Sequence, residues 1–311
     1  MIVPDSPPAV GGGRLRRPIW NSERMDGLLA QMARLRPVAS TGIAGLDALL
    51  GGGLMPGVTL LAGAPGTGKT SLALQLCDHC ARFGRRGVVY ASLEMSSGQL
   101  VAKSLVRLSA SMCEQPVTLR EIPALLPHLA DGANSRASML REAVRVYAEE
   151  VAPRVATIDT LATASDASAL YDDLPADELP PLMIVDYLQL CGREQGDEAA
   201  TDVQHLSGVM RSLCALSKRH GVPVLALSSQ NRCKRGMSVL DSLAGSSELE
   251  YAAVCALFLS VDGADEAERQ RNAEQPVRPV LLTAAKNRFG PLGRLGLWFN
   301  APQSRFIERE G

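Results

Sequence analysis

A glycine-rich stretch that ends in a lysine and a threonine carries the clearest chemistry in this sequence. Residues 63–70 match G-x-x-x-x-G-K-[ST] at every fixed position, a pattern whose backbone N–H groups surround phosphates. In such a loop Lys69 neutralises the β and γ oxygens of a nucleoside triphosphate, and the Thr70 hydroxyl completes a Mg²⁺ shell. The residues predicted to bind the nucleotide from this stretch are Gly63, Ala64, Pro65, Gly66, Thr67, Gly68, Lys69, Thr70 and Ser71.

The segments on either side of this loop support the same interpretation. An apolar run over residues 57–62 predicts a strand directly before it, and the apolar positions within residues 71–77 predict a helix directly after it. Strand, loop and helix in this order are the context that the motif requires. A glycine-rich turn alone would be weak evidence, and the alternative is an incidental glycine turn.

Two carboxylates follow apolar runs elsewhere in the chain. Asp186 ends the run at 182–186, and Glu94 follows the run at 88–93. The carboxyl ends of neighbouring parallel strands share one edge of a sheet, so both side chains are expected beside the γ-phosphate. This arrangement suits Asp186 as a metal-side carboxylate and Glu94 as the base that polarises the attacking water. Alternatively, Asp186 follows its apolar run only by chance, and Glu94 is an exposed acid at the start of a helix, beside Ser96 and Ser97.

The elements that must position these residues alternate along the chain. Apolar runs bounded by turn residues alternate with helical patterns, which predicts an α/β fold with a mostly parallel central sheet flanked by helices. Two late runs, 280–288 and 293–300, are separated by a turn at 289–292 and predict an antiparallel C-terminal hairpin. Residues 262–275 are charged and predict an exposed loop or solvated helix. Other predicted strands cover 57–62, 88–93, 155–158, 182–187, 223–228 and 254–261, and predicted helices cover 97–108, 135–151 and 203–219.

Length and composition narrow the class of protein. The 311 residues include 46% hydrophobic residues, enough for one large domain, and a net charge of -1 argues against a strongly basic coat for nucleic acid. We found neither a signal peptide nor a membrane-length apolar run, so we expect a reduced, cytoplasmic protein that contacts no membrane. Cys77 and Cys80 form a C-x-x-C pair without a second ligand pair, which disfavours a zinc site.

The N-terminal region differs from the rest of the chain. Residues 1–20 are rich in proline and glycine and predict a disordered tail. Residues 21–36 predict a short amphipathic helix, because apolar residues recur there at intervals of three and four. We expect one domain over residues 37–311. The short helix is too marginal to stand alone in water, so its apolar stripe needs a partner surface.

Four further motifs resemble, in order and spacing, those of the ATPase domain of DnaB-type replicative helicases. The resemblance extends from about residue 40 to 309 and implies a RecA-like P-loop ATPase that uses ATP and Mg²⁺. It assigns the catalytic glutamate to Glu94 and the metal-side carboxylate to Asp186. The N-terminal domain of the full-length helicases has no counterpart, and residues 21–36 resemble their linker helix. The motifs are SLEMS at 92–96, IVDYLQL at 184–190, LALSSQNR at 225–232 and KNRFGPLG at 286–293.

The same resemblance implies that the protein acts as an assembly. Arg288, two residues after Lys286, matches the family's arginine finger, which reaches into the nucleotide site of the next subunit. The alternative is that both residues are solvated cations on a hairpin. The resemblance further implies a homo-hexameric ring that moves on single-stranded DNA and unwinds duplexes, with a replication loader or a primase as partner.

The sequence also departs from the family pattern. Ser229 stands where the family usually has a glutamine that senses the γ-phosphate, with Gln230 next to it. Ala244 and Gly245 replace a basic residue and an acid in the loop that resembles the family's DNA-binding loop, and Val254 replaces an aspartate. These departures leave two alternatives open. One is a recombinase-type RecA relative, and the other is a RecA-like ATPase that binds nucleotide to assemble or to act as an adaptor without unwinding.

Overall fold

The computed structural model describes residues 21–33, 36–113, 115–130, 134–159, 163–172, 181–192, 200–229 and 247–309. The predicted tail at 1–20 lies outside these residues, as do Gln230, Ala244 and Gly245. Contacts within the chain divide it into two units, Met1–Arg36 and Pro37–Gly311. The first unit contains a 3-10 turn at Asn21–Arg24 followed by helix α1 at Met25–Ala33.

The second unit is built on one sheet, to which the described residues contribute nine strands in the order β3-β2-β4-β5-β1-β6-β7-β8-β9. Strands β1 to β6 run parallel to one another, whereas the β6–β7, β7–β8 and β8–β9 pairs are antiparallel. This confirms the predicted fold class. The strands are β1 Gly57–Gly63, β2 Val88–Ser92, β3 Val155–Ile158, β4 Leu182–Asp186, β5 Pro223–Ser229, β6 Cys255–Val261, β7 Val277–Asn287, β8 Gly293–Asn300 and β9 Arg305–Glu308.

Helices cover both faces of this sheet and form two apolar clusters with it. On one face α3 packs Leu72 and Leu76 against β1 and β4, and on the other α8 packs Met210 and Leu213 against the same strands. Strands buried on both faces read as continuous apolar runs, which explains why the sequence revealed them. The helices of this unit are α2 Ala44–Leu49, α3 Lys69–Arg82, α4 Ser97–Ala110, α5 Ile122–Leu125, α6 Ser135–Val146, α7 Ala164–Asp172, α8 Asp202–His220, α9 Ser247–Ala252 and α10 Glu266–Glu274.

The predicted elements agree with the structure except at some boundaries. The predicted helix at 135–151 is α-helical only to Val146 and continues as a π-helix at Tyr147–Val151. The predicted strand at 254–261 begins at Cys255, and the charged stretch at 262–275 contains α10, which has no buried residue. Among the residues that the structure describes, none of the helices combines the length and hydrophobicity needed to cross a bilayer.

Candidate nucleotide-binding site

The loop between β1 and α3 is shaped by two glycines. Gly66 and Gly68 have φ angles of 82° and 101°, a region that favours glycine. A Cβ atom on Gly68 would lie 2.7 Å from Phe299 Cε1 and 2.8 Å from Phe306 Cζ. The two aromatic rings therefore pack directly against the loop and fix its position. Gly68 is the N-cap of α3 and no side chain caps this end. The first N–H groups of α3 are therefore left for an anion.

Lys69 is folded back onto the loop that precedes it. Its Nζ donates to Gly63 O at 2.8 Å and to Ala64 O at 3.1 Å. Thr67 closes the same loop, because its Oγ1 donates to Ala64 O at 2.9 Å. Burial lowers the pKa of Lys69, and the charges of Asp186 and Glu94 act in the opposite direction. Gly63, Ala64 and Thr67 thus contribute the frame that holds the lysine.

Asp186 is buried at the end of β4, with 3% of its surface exposed. Its Oδ2 accepts a hydrogen bond of 2.9 Å from the Tyr90 hydroxyl, and the Thr70 side chain also acts on its carboxylate. Burial raises the pKa of Asp186, and the charge of Glu94 raises it further. The hydrogen bond from Tyr90, the Thr70 side chain and the charge of Lys69 lower the pKa. Asp186 is therefore a buried carboxylate directed towards the start of α3.

Glu94 reaches the same place from the neighbouring strand. Ser92, the last residue of β2, is paired with Asp186, and Leu93 N donates to Asp186 O at 2.8 Å. Ser92 Oγ also donates to Met95 O at 2.6 Å, which fixes the turn that carries Glu94. The Glu94 side chain is exposed. The geometry expected from parallel strands is thus present, since Glu94 and Asp186 lie at one edge of the sheet.

A cleft of about 400 Å³ brings most of the predicted residues together. The predicted residues on its walls are Pro65, Gly66, Gly68, Lys69, Thr70, Ser71, Glu94 and Asp186. Ser229, the departure noted in the sequence, also lines the cleft, and its carbonyl accepts a bond of 3.2 Å from Gln189 Nε2. The cleft therefore combines an anion-binding helix end, a lysine, a hydroxyl and two carboxylates.

Sequence reasoning missed Lys103, which also lines the cleft. Its Nζ donates to Ser71 Oγ and to Ser304 Oγ, each at 3.3 Å. Burial lowers the pKa of Lys103, the nearby Arg107 lowers it further, and Asp186 raises it. Lys103 lies in the middle of α4, where a lysine is ordinarily a solvated residue, so the sequence carried no signal for it.

Arg278 and Phe299 form another wall that the sequence did not reveal. The Arg278 guanidinium lies 4.9 Å from the centre of the Phe299 ring and donates to Gly66 O at 2.6 Å. These residues come from β7 and β8, far from the loop in the sequence. The hairpin therefore supplies an aromatic face and a cation to the loop between β1 and α3.

Lys286 and Arg288 lie at the opposite ends of the strands from the cleft. Arg288 N donates to Val254 O at 3.0 Å, next to the beginning of β6, and both side chains donate to Tyr251 O. The loop that contains Lys69 follows the opposite end of β1. Because β1 has seven residues, about 20 Å of strand separates the two positions. The structure therefore does not bring Lys286 and Arg288 into the cleft of their own chain.

Comparisons with known proteins agree with this geometry. Residues 39–308 match the family described as DnaB-like helicase C terminal domain. A replicative DNA helicase DnaB of Pasteurella multocida is 29% identical over 86% of this chain and 54% of its own length. A probable replicative DNA helicase of Trieres chinensis is 26% identical over 86% and 57%. A DNA repair protein RadA of Mycobacterium tuberculosis is 29% identical over 93% and 47%. The chain spans about half the length of these relatives.

Solved structures show the same fold. One that is described as an ATPase domain superposes with a TM-score of 0.72 at 21% identity and covers 94% of this chain and 99% of its own. A DnaB-like replicative helicase, described together with its interactions with primase, superposes with a TM-score of 0.71 at 20% identity over 95% and 68%. Since the family match extends over residues 39–308, nearly the whole second unit, the chain belongs to the DnaB-like helicase C-terminal domain family.

Proposed function

We propose that this protein binds ATP together with Mg²⁺ in the cleft and hydrolyses the triphosphate. The observation that carries the proposal is the meeting of Lys69, Thr70, Glu94 and Asp186 at one edge of the sheet. Lys69 would leave the carbonyls of its own loop to neutralise the β and γ oxygens. Glu94, which is exposed to the cleft, would polarise the attacking water.

The residues present fit a magnesium ion. Mg²⁺ prefers oxygen ligands, and Thr70 and Asp186, which carry a hydroxyl and a carboxylate, both line the cleft. When bound, the ion neutralises charge that develops on the phosphates. Thr70 and Asp186 are the residues that would hold it.

Hydrolysis is proposed to occur between two copies of the chain. Lys286 and Arg288 are remote from the cleft of their own chain, so they can supply charge only to the cleft of a neighbour. Contacts of this head-to-tail type form a ring when the rotation between neighbours closes and an open filament when it does not, and a homo-hexameric ring is the assembly we propose. Residues 37–311 would form the ATPase domain of each subunit and residues 21–36 its linker helix.

The proposed outcome of hydrolysis is movement on single-stranded DNA, with separation of the duplex ahead. This part is supported by the family and by the relatives named as replicative helicases. The solved relative described with a primase makes a primase, besides a replication loader, a candidate partner. Because the chain spans about half of its relatives, partners that they bind elsewhere are not assigned to it.

The test combines ATP hydrolysis with strand displacement on a tailed duplex. We expect wild-type protein to do both and Lys69→Ala to do neither, because the P-loop lysine carries the charge that phosphoryl transfer requires. Lys218→Ala is the matched control, since Lys218 is exposed on α8. Wild-type protein that hydrolyses no ATP at any DNA concentration would contradict the proposal.

A second candidate function is a RecA-like ATPase that uses nucleotide to assemble or to act as an adaptor without unwinding. Ser229 favours it, because a short side chain bordering the cleft stands where the family resemblance expects a γ-phosphate sensor. The same assays separate the two candidates. ATP hydrolysis and ring formation without displacement of any tailed strand would favour the adaptor.

A further inference from the structure

Tyr90 is a buried tyrosine whose hydroxyl is used entirely inside the protein. No part of its side chain is exposed, and its Oη donates to Asp186 Oδ2 at 2.9 Å. The sequence motifs do not single this tyrosine out. A polar group is rarely placed in the centre of a sheet unless it satisfies another polar group. The Tyr90 hydroxyl is therefore expected to serve the Asp186 carboxylate.

The register of two strands explains why Tyr90 reaches Asp186. In the parallel pair of β2 and β4, Tyr90 is opposite Ile184 and Ser92 is opposite Asp186. Tyr90 and Ser92 therefore lie on the same face of β2, one repeat of about 7 Å apart. A tyrosine ring is long enough to span that repeat, whereas an aliphatic side chain would end short of the carboxylate and could donate nothing to it.

The Asp186 carboxylate is consequently held from two directions. The Thr70 side chain, at the start of α3, acts on it from the side of the cleft, and Tyr90 donates a hydrogen bond from the interior of the sheet. Removal of the Tyr90 hydroxyl would leave Asp186 Oδ2 buried without this partner, and the carboxylate group would be free to rotate. Donors behind a metal-binding carboxylate fix its orientation, and their loss typically weakens metal binding by about 10–100-fold.

We propose that Tyr90 is a positioning residue that orients Asp186 towards the Mg²⁺ ion bound with the nucleotide. This inference rests on the proposed function, because it requires that Asp186 lies on the metal side of a nucleotide site. It extends that function by adding a residue from the core to the set that determines magnesium affinity. Tyr90 itself touches neither nucleotide nor metal.

The test compares Tyr90→Phe with a matched control, Tyr171→Phe. Tyr171, on α7, is also a buried tyrosine, but it lies away from the cleft. Its hydroxyl donates to Pro181 O at 3.1 Å. Both variants lose one buried hydroxyl. Only Tyr90→Phe removes a donor from Asp186.

The quantity to measure is the affinity for a fluorescent, non-hydrolysable ATP analogue, with MgCl₂ and again with EDTA. The dissociation constant in EDTA divided by the dissociation constant in MgCl₂ reports how strongly metal and nucleotide bind together. We expect Tyr90→Phe to reduce this ratio about tenfold, with affinity in EDTA unchanged, and Tyr171→Phe to keep the wild-type ratio. An equal ratio in wild type and Tyr90→Phe would overturn the inference.

A double variant guards against a purely structural effect. Asp186→Asn reduces the ratio by itself, and in that background Tyr90→Phe is expected to reduce it no further. A further reduction in the double variant would show that Tyr90 acts through another route. Wild-type protein that fails to bind the analogue under either condition would instead overturn the proposed function, so the two failures are distinguishable.

Discussion

Lys103 is a half-buried charge on the wall of the cleft that costs stability. Its ammonium group is half-buried and donates to two neutral hydroxyls, Ser71 Oγ and Ser304 Oγ. Those hydroxyls also lie 3.2 Å from each other, so they remain satisfied without the lysine. Burial holds the pKa of Lys103 below the ordinary 10.5. The charged form is thus destabilising in the folded state.

This argument gives a pH-dependent prediction. The cost is present below the folded pKa and disappears as the pH rises to 10.5, so Lys103→Met should be more stable than wild type at pH 7, by roughly 1 kcal/mol. The difference should vanish near pH 10.5. Binding of ATP should weaken about tenfold, because a cation on the wall of the cleft is lost. Urea unfolding at both pH values and a binding titration measure these effects.

The matched control for this prediction is Lys218→Met. Lys218 is exposed on α8, and its loss should change neither the stability nor the affinity. If Lys103→Met is less stable than wild type at pH 7, the two hydroxyls compensate for burial of the charge and the prediction is wrong. A gain in stability with lost affinity is the trade-off typical of functional sites.

Which residues the sequence could reveal depends on how far away their partners are. The loop residues and Lys69 act within one strand, loop and helix, so their spacing is informative. Tyr90 and Asp186 are 96 residues apart, and Lys103 and Ser304 are 201 apart. Those contacts exist only because the sheet and the last turn are assembled. No local pattern distinguishes Tyr90 from any other core aromatic residue.

At the scale of elements, the join between β1 and α3 is sensitive to substitution. Gly68→Ala would place a Cβ within 3 Å of both Phe299 and Phe306, at a φ of 101°. We expect a loss of about 1–3 kcal/mol in unfolding free energy. We also expect no measurable ATP binding, since the loop must move away from the aromatic pair. Chemical denaturation and a nucleotide titration measure the two effects.

Gly208→Ala is the control for this substitution. Gly208 lies within α8, and no atom lies within 4 Å of the position that its Cβ would take. Alanine in a helix interior should stabilise the protein by about 0.5–1 kcal/mol. ATP binding that survives in Gly68→Ala would show that the loop tolerates displacement, contrary to the argument from packing.

Some elements could be predicted because their signals are local in the sequence, whereas others could not. Helix α8 has a capping box between Thr201 and Gln204 and ends at Gly221, and both signals are local. Helix α2 has six residues and no side-chain cap, and strand β9 has only four residues. Such short elements form because of their tertiary contacts. The π-helix after Val146 likewise has no signal in the helical periodicity of the sequence.

For the whole molecule, the distance between the cleft and Arg288 has the largest consequence. The two lie at opposite ends of the parallel strands of one sheet. An isolated chain therefore has the cleft at one end of the strands, and Lys286 and Arg288 at the other. Lys286 and Arg288 both donate to the Tyr251 carbonyl, and Tyr251 is itself exposed, so this part of the surface is open to a neighbouring chain. We expect the rate of hydrolysis per chain to increase with protein concentration until assembly is complete.

Mixed assemblies test this arrangement directly. Glu94→Gln removes the proposed base and Arg288→Ala removes the charge proposed to reach the neighbour, so each variant alone should be nearly inactive. Fingers of this kind contribute about 10³–10⁵ in rate. In a mixture, a pocket from an Arg288→Ala subunit can meet the arginine of a Glu94→Gln subunit and form a complete site. At equal amounts, on the order of a quarter of head-to-tail interfaces would be complete.

We therefore expect ATPase activity to reappear in the mixture, with a maximum near equal proportions and up to about a quarter of the wild-type rate. The control mixture combines Arg288→Ala with the double variant Glu94→Gln, Arg288→Ala, in which no interface has an arginine, and it should stay inactive. Arg288→Ala that is fully active alone, or a mixture that shows no recovery at any ratio although mixed assemblies form, would contradict action between subunits. Recovery in the first mixture alone requires that pocket and cation come from different chains, because no single chain in it contains both.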